Sequence, residues 1–309
     1  MSTLFSHFFQ KINQISPLET DFTEVLESIV LKPKTLYFYG KMPENMVKNG
    51  KKERPKTVAI VGSRHNTRYG EEVAYKLAYE LGKRGVVVVS GLAHGIDSIG
   101  HRGCLDAGGT TIAVLGTPIN QIYPRSHTSL AQEIIEKNGA IISEYAPDAK
   151  ILPKISFLER NRLISGLSDI VVIVEAADHS GTLNTAAHAL SQGKTVFAVP
   201  GNITNHYSKG CNKLIKQGAF PYTEIDDVLR ELFPEEYVKK SKKSLKIGEI
   251  HGDSLEETAI LRAIKAGLTN GSEISEKMSL SPEVFNQTIT ILEIKSKVRS
   301  LGANNWTLT

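Results

Sequence analysis

The sequence predicts a doubly wound α/β fold with a mostly parallel sheet, followed by a small α+β domain. Three observations carry this. Short runs such as Val86–Val89 and Ile170–Val174 are apolar without alternation, so both faces of each strand are covered. Amphipathic stretches of helical period separate them. Beyond a polar, Lys-rich stretch at 226–253 the pattern restarts as three short helices and a terminal hairpin.

The elements follow in order. Val58–Val61 is a strand that stops at Gly62, and residues 70–84 carry Val73, Leu77 and Leu81 on one helical stripe. Val86–Val89 runs into Ser90-Gly91, and a helix starts near Ile96. Thr111–Leu115 is the next strand, Ser129–Lys137 a helix and Ala140–Ser143 a strand. Residues 157–167 are helical, Ile170–Val174 is a strand, and 182–192 form a helix before Thr195–Val199. Pro200-Gly201 stops that last strand. Towards the end, Glu256–Lys265 buries Ile260, Leu261 and Ile264, and Glu273–Met278 makes a short second helix. Ser281-Pro282 caps a third, carrying Phe285, Ile289 and Leu292, and Val298–Leu308 folds as a hairpin. That order is a winged helix. The expected division is a short N-terminal segment at 1–56, a core at 57–225, a linker at 226–253 and the winged-helix-like domain at 254–309.

Composition narrows the function classes. Hydrophobic residues make up 40% of the 309, enough for a core, which argues against global disorder. No apolar run approaches the roughly 20 residues of a membrane span. The N-terminus lacks the basic and apolar regions of a signal peptide. Cys104 and Cys211 are isolated, which excludes a zinc ribbon or disulfide framework and fits a reducing cytoplasm. A net charge of +4 is compatible with nucleic acid without demanding it. The cluster around Lys48–Lys56 and the run Lys239–Lys246 read as solvated linkers.

In a doubly wound sheet the ligand site lies at the carboxyl ends of the strands. Several small, polar loops stand at such ends here. Gly62-Ser63-Arg64 offers loop amides and a planar cation suited to phosphate; it reads equally well as an ordinary turn with a solvated Arg. Ser90-Gly91 precedes His94, Asp97 and His101, whose spacing could share a helix face but lacks a metal signature, so a capped turn is the better reading. Lys154-Ile155-Ser156-Phe157-Leu158-Glu159-Arg160-Asn161-Arg162 sets three cations beside an aromatic, the ingredients of phosphate contact and base stacking. The plain alternative makes Phe157 and Leu158 core residues and the two arginines surface or ion-pair groups. Ser180-Gly181-Thr182 places small hydroxyls at a helix N-terminus, where an anion is favoured.

Taken together these segments resemble the DprA/Smf family, DNA-processing protein A. The matching stretches are VAIVGSR at 58–64, SGLAHGID with His101, TIAVLG with Tyr123-Pro124, and ISEY at 142–145. FLERNRLISGLSD at 157–169, SGTLNTA at 180–186, VFAVPG at 196–201 and SKGCNKLIKQGA at 208–219 follow in unbroken order. The resemblance implies a Rossmann-like core that binds single-stranded DNA, a homodimer, and a RecA-type recombinase as partner, in natural transformation or recombination. It implies that Arg64 contacts the strand with Gly62 and Ser63 beside it. By the same resemblance Lys154 holds a phosphate and Phe157 wedges or stacks a base. Arg160 and Arg162 match the family's RNR segment. No cofactor, metal or catalytic residue is implied. Three departures stand out: a truncated N-terminal helical module, Asn184 where a hydrophobic residue is usual, and Gly100 where Ala is usual.

Two other readings compete. Lysine-decarboxylase-like phosphoribohydrolases of the same superfamily place a catalytic acid after the loop at this position. Here Leu183-Asn184-Thr185 offers none, which weighs against a nucleotide-processing enzyme. A duplex-binding repressor needs a basic winged helix, whereas 254–309 carries as many Glu as Lys and Arg. A protein-docking or regulatory role is expected of that segment instead.

Overall fold

Strand β1 (Asn13–Ile15) opens the described chain, and β2 (Leu36–Gly40) follows two short 3-10 turns. The molecule is seen here in a computed structural model that describes residues 11–48, 51–235 and 252–309. A small hairpin of β3 (Met46–Lys48) and β4 (Lys51–Glu53) leads into the alternating core. There β5 (Thr57–Val61), β6 (Val87–Ser90), β7 (Thr111–Leu115) and β8 (Ala140–Ser143) alternate with α1 (Arg68–Gly82), α2 (Ile96–Asp106) and α3 (Thr128–Glu136). Helix α4 (Pro153–Leu167) then crosses to β9 (Ile170–Ile173). After it come α5 (Thr182–Ser191), β10 (Thr195–Ala198), α6 (Lys209–Lys216), β11 (Phe220–Pro221) and α7 (Ile225–Leu232).

One nine-stranded sheet runs in the order β1-β2-β8-β7-β6-β5-β9-β10-β11, parallel from β8 to β11. The strand order reverses at β5: its successors step away on one side, and α4 carries the chain back to β9 on the other. Strands β5 to β9 are fully buried because helices cover both faces, as their unalternating apolar runs predict. Apolar clusters lie on both sides, one around Ile112, Leu163 and Val171, the other around Leu92, Leu115 and Ile141.

Two boundaries differ from the sequence reading. Of the segment 1–56, expected as a truncated helical module, residues 13–40 instead complete the sheet: β2 pairs antiparallel with β8, and β1 with β2. Phe22, Leu26 and Ile29 bury themselves in the core, and a Cβ on Gly166 of α4 would meet Leu26 at 2.8 Å. Residues 226–253 do not begin as a linker. Ile225–Leu232 is the amphipathic helix α7, with Val228, Leu229 and Leu232 buried, and the first compact unit extends to Pro234. The Lys239–Lys246 run lies outside the described residues. Arg54, grouped with the solvated cations, is tied down at 3.2 Å to Asp169 and donates to the Leu167 carbonyl. No helix among the described residues is long and apolar enough to cross a membrane.

A second compact unit follows in the chain. It has α8 (Leu255–Lys265), α9 (Gly271–Lys277), α10 (Pro282–Ile294) and a hairpin of β12 (Val298–Gly302) and β13 (Asn305–Leu308). Each helix starts at the side-chain cap its sequence offers: Ser254, Asn270 and Ser281 accept from backbone amides. Ile260, Ile274, Phe285 and Leu292 form its core.

Candidate functional site

The reversal of strand order opens a crevice above the carboxyl ends of β5 and β9. A cleft of about 610 Å³ occupies it, lined by the loop after β5, the loop after β9 and the first turns of α4. Its volume suits a nucleotide-sized ligand.

The β5 loop carries Gly62, Ser63 and Arg64. Ser63 is held from both sides: its carbonyl accepts from Ile96 N at 3.2 Å and its Oγ from His65 N at 3.1 Å. This close approach needs Gly95, whose φ is +74° and whose added Cβ would stand 2.3 Å from the Ser63 oxygen. Arg64 emerges exposed, with its guanidinium 5.6 Å from the centre of the Phe157 ring, a cation–π contact. It makes no ion pair among the described residues, so its charge is available to a ligand.

Lys154 and Phe157 stand on the first turns of α4. The sequence reading begins this helix at 157, but it starts at Pro153, which suits a first turn because its missing N–H would have no partner there. Lys154 is exposed at the helix N-terminus, also without an ion pair among the described residues. Phe157 is half-buried: its ring packs on the backbone of Gly116, where a Cβ would come within 2.6 Å of it. The structure therefore brings Arg64, Lys154 and Phe157 together at one mouth.

Arg160 and Arg162 do not join them as free cations. Arg160 lines the cleft but is only 5% exposed, and its Nη1 donates to the carbonyls of Gly91, at 2.7 Å, and Val114. Burial pushes it down to about 10, against the favourable charge of Asp97. Arg162 is 7% exposed and donates to both carboxylate oxygens of Glu144 at 2.7 and 2.8 Å. The physical reason is the helix turn. On α4 the exposed face at 154 is followed by a face pressed onto the sheet, so both arginines serve as buried struts. Ser90 and Gly91, expected as a phosphate-contact loop, are likewise spoken for. The Ser90 hydroxyl donates to Ile60 O at 2.6 Å, and Gly91 N donates to Asp97 at 3.0 Å. A Cβ at Gly91 would meet the Arg160 guanidinium at 2.3 Å, so nothing else approaches it from that side.

Ser180, Gly181 and Thr182 do line the cleft, on the β9 side. Thr182 Oγ1 donates to Gly62 O at 3.1 Å, which ties the two loops across the crevice. Asn161 braces this loop from α4, donating to Asn184 Oδ1 at 3.2 Å. The departure at Asn184 thus has a partner, an amide–amide contact beneath the loop. Two buried carboxylates organise the loops: Asp97, expected to cap its own helix, and Glu175, which the sequence does not single out. Asp97 holds Gly91 N, and burial raises its carboxyl above the usual range, with Arg160 pulling the other way. Glu175, 1% exposed, accepts from Thr67 N at 2.8 Å and Thr67 Oγ1 at 2.6 Å at the start of α1. Its sequence signal is an acid ending an apolar strand, where a helix N-terminus provides donors. His94 and His101 diverge from Asp97. His101 is buried on Thr111 Oγ1 at 2.7 Å, while the His94 ring meets His127 edge-on.

The family model of DNA recombination-mediator protein A matches residues 13–233. The chain belongs to this family. The match takes in the N-terminal strands and α7, the elements that extend the core at both ends. The DNA processing protein DprA of Bacillus subtilis is 40% identical over 230 residues, 74% of this chain and 74% of that protein. Protein Smf of Escherichia coli K12 is 47% identical over 175 residues, 57% of this chain, and the match spans 46% of that relative's length. Among solved structures, DNA processing protein A of Streptococcus pneumoniae superposes with a TM-score of 0.62 at 36% identity, covering 74% of this chain and 76% of that one. That of Helicobacter pylori, a protein with a described single-stranded-DNA binding mode, gives 0.63 at 32% identity, covering 74% and 98%. Both agree with the DNA recombination-mediator fold described above.

Proposed function

We propose that this recombination mediator binds single-stranded DNA in the cleft at the β5–β9 reversal, without catalysing a reaction on it. The observation that carries the reading is one mouth where Arg64 and Lys154, both exposed and free of ion pairs among the described residues, flank the half-buried Phe157 ring. Cations neutralise phosphates, and a ring face takes a base of any identity. Ser180 and Thr182 line the same cleft at the α5 N-terminus, whose positive dipole end favours an anionic ligand. The binding mode described for the Helicobacter pylori relative supports the choice of DNA as the strand.

A nucleotide-cleaving enzyme fits less well. Among the described residues lining the cleft the one carboxylate is Asp97, and it is buried and committed to Gly91 N. The protein then acts by covering the strand and passing it to a RecA-type recombinase, as a cytoplasmic homodimer. The winged-helix-like segment 254–309, neutral in sequence, docks a protein or regulates the core. Titration of fluorescent single- and double-stranded oligonucleotides at rising salt tests the reading. Single strands bind tighter, and affinity falls steeply with salt. Equal affinity for duplex and single strand overturns it. Light scattering at twice the 33.9 kDa chain mass would bear out the dimer.

A further inference from the structure

The aromatic step at the cleft does not end with Phe157. The Tyr123 ring lies beside it, with centroids 5.2 Å apart and planes tilted by 45°. One stacked base step occupies about 3.4 Å, so a base does not fit between rings this close. The pair forms a continuous two-ring platform. Phe157 is backed by Gly116 and covered in part by Arg64, whereas Tyr123 is 48% exposed. On the far side of Tyr123 lies a second groove of about 500 Å³, lined by Thr117, Gln121, Ile122, Tyr123, Arg125 and Thr128. A small notch shares Arg64 and Phe157 with the first cleft and Tyr123 with the second groove. Arg125 is exposed and makes no ion pair among the described residues. Arg125 and Tyr123 line this groove together, as Arg64 and Phe157 line the first.

We propose that Tyr123 is a second base-stacking residue and that Arg125 holds a phosphate beside it, so that the single strand runs from the Arg64 cleft across Tyr123 into the second groove. The proposal rests on the strand-binding reading of the cleft and lengthens that site by a nucleotide step. Gln121, exposed on the same groove, offers a neutral polar side chain, suited to a strand bound without regard to sequence, while Thr117 Oγ1 donates to the Gln121 carbonyl at 2.6 Å.

The test uses the full chain, oligothymidines of increasing length, and 5-iodouridine placed along one of them for photocrosslinking. Tyr123→Phe keeps affinity. Tyr123→Ala and Tyr123→Leu, the latter still apolar against Phe157, each lose about tenfold with unchanged thermal unfolding. Arg125→Ala lowers the salt slope by about one contact. In the parent protein an adduct forms on Tyr123. If Tyr123→Leu and Arg125→Ala bind like the parent while Arg64→Ala does not, the extension is wrong and the cleft reading survives. Affinity lost in Tyr123→Leu with crosslinks confined to Phe157 also overturns it, because Tyr123 then only positions its neighbour. If the parent binds no single strand, the cleft reading fails first and the extension with it.

Discussion

Replacing Arg160 by Met removes the buried strut at the cleft while keeping its length and apolar stem. Three groups lose their partner at once: the carbonyls of Gly91 and Val114, and the buried charge of Asp97 that Arg160 offsets. Breaking a buried pair by deleting one member costs about 3–5 kcal/mol, most of it from the charge left behind. The cost depends on pH in a definite direction. Burial already raises the Asp97 carboxyl in the folded state, and Arg160 opposes that rise. Without Arg160 the folded value climbs further above the unfolded one, near 3.9. A raised acid favours the fold below its unfolded value and loses that contribution as pH climbs through the folded value. The gap between Arg160→Met and the parent is therefore widest at neutral pH and narrows in acid, as Asp97 takes up its proton. Urea unfolding followed by far-ultraviolet circular dichroism measures it. The single tryptophan, Trp306, lies in the second unit and reports on the wrong core. A loss below about 1 kcal/mol, the worth of an ordinary hydrogen bond, or one that does not change with pH, refutes the buried-strut account.

Other outcomes follow from the same geometry. Phe157→Ala should weaken single-strand binding by about 1–3 kcal/mol; lost stability with unchanged affinity would make the ring a core residue only. Gly95→Ala should cost about 1–3 kcal/mol in backbone strain alone and weaken binding too, because its Cβ pushes on Ser63 next to Arg64. His101 is poised for acid sensitivity. Thr111 Oγ1 donates to Val88 O, so His101 Nδ1 must donate to Thr111, leaving Nε2 buried and unpartnered, and its pKa falls to about 3. Below its unfolded value of about 6.5 the unfolded chain gains a proton that the folded one refuses. Stability therefore drops as pH falls from there towards about 3, and His101→Gln should flatten that fall in acid-unfolding curves. A chain ending before Leu255 should fold and keep most of its single-strand affinity; a tenfold loss, about 1.4 kcal/mol, would place the second unit in the DNA site.

How much was legible varies with how local the signal is. Thr111–Leu115 and Ala140–Ser143 could be read to the residue, because consecutive apolar residues end abruptly at Gly or a polar turn. Leu36–Gly40 could not. As an antiparallel strand beyond β8 it needs no long apolar run, and its partner lies a hundred residues away. Helix α7 hid behind Asp226, Asp227 and Glu231, which occupy its outer face while Val228, Leu229 and Leu232 pack inward. At the site, the strand-end loops were legible from topology, which fixes where a ligand crevice must open. The division of labour among the cations was not. Arg64, Arg160 and Arg162 are chemically alike, and only distant partners, Gly91, Val114 and Glu144, turn two of them into struts. Asn161 and Glu175 were passed over for the same reason: their roles reside in contacts to Asn184 and Thr67.

Amide hydrogen exchange with and without a saturating oligothymidine maps the bound strand along the whole chain without altering a residue. The account predicts slowed exchange in the loop after β5, over residues 62–65, in the first turns of α4, over 154–158, and in the loop before α5, over 180–183. Protection confined to residues 255–309, with those three segments unchanged, would contradict it.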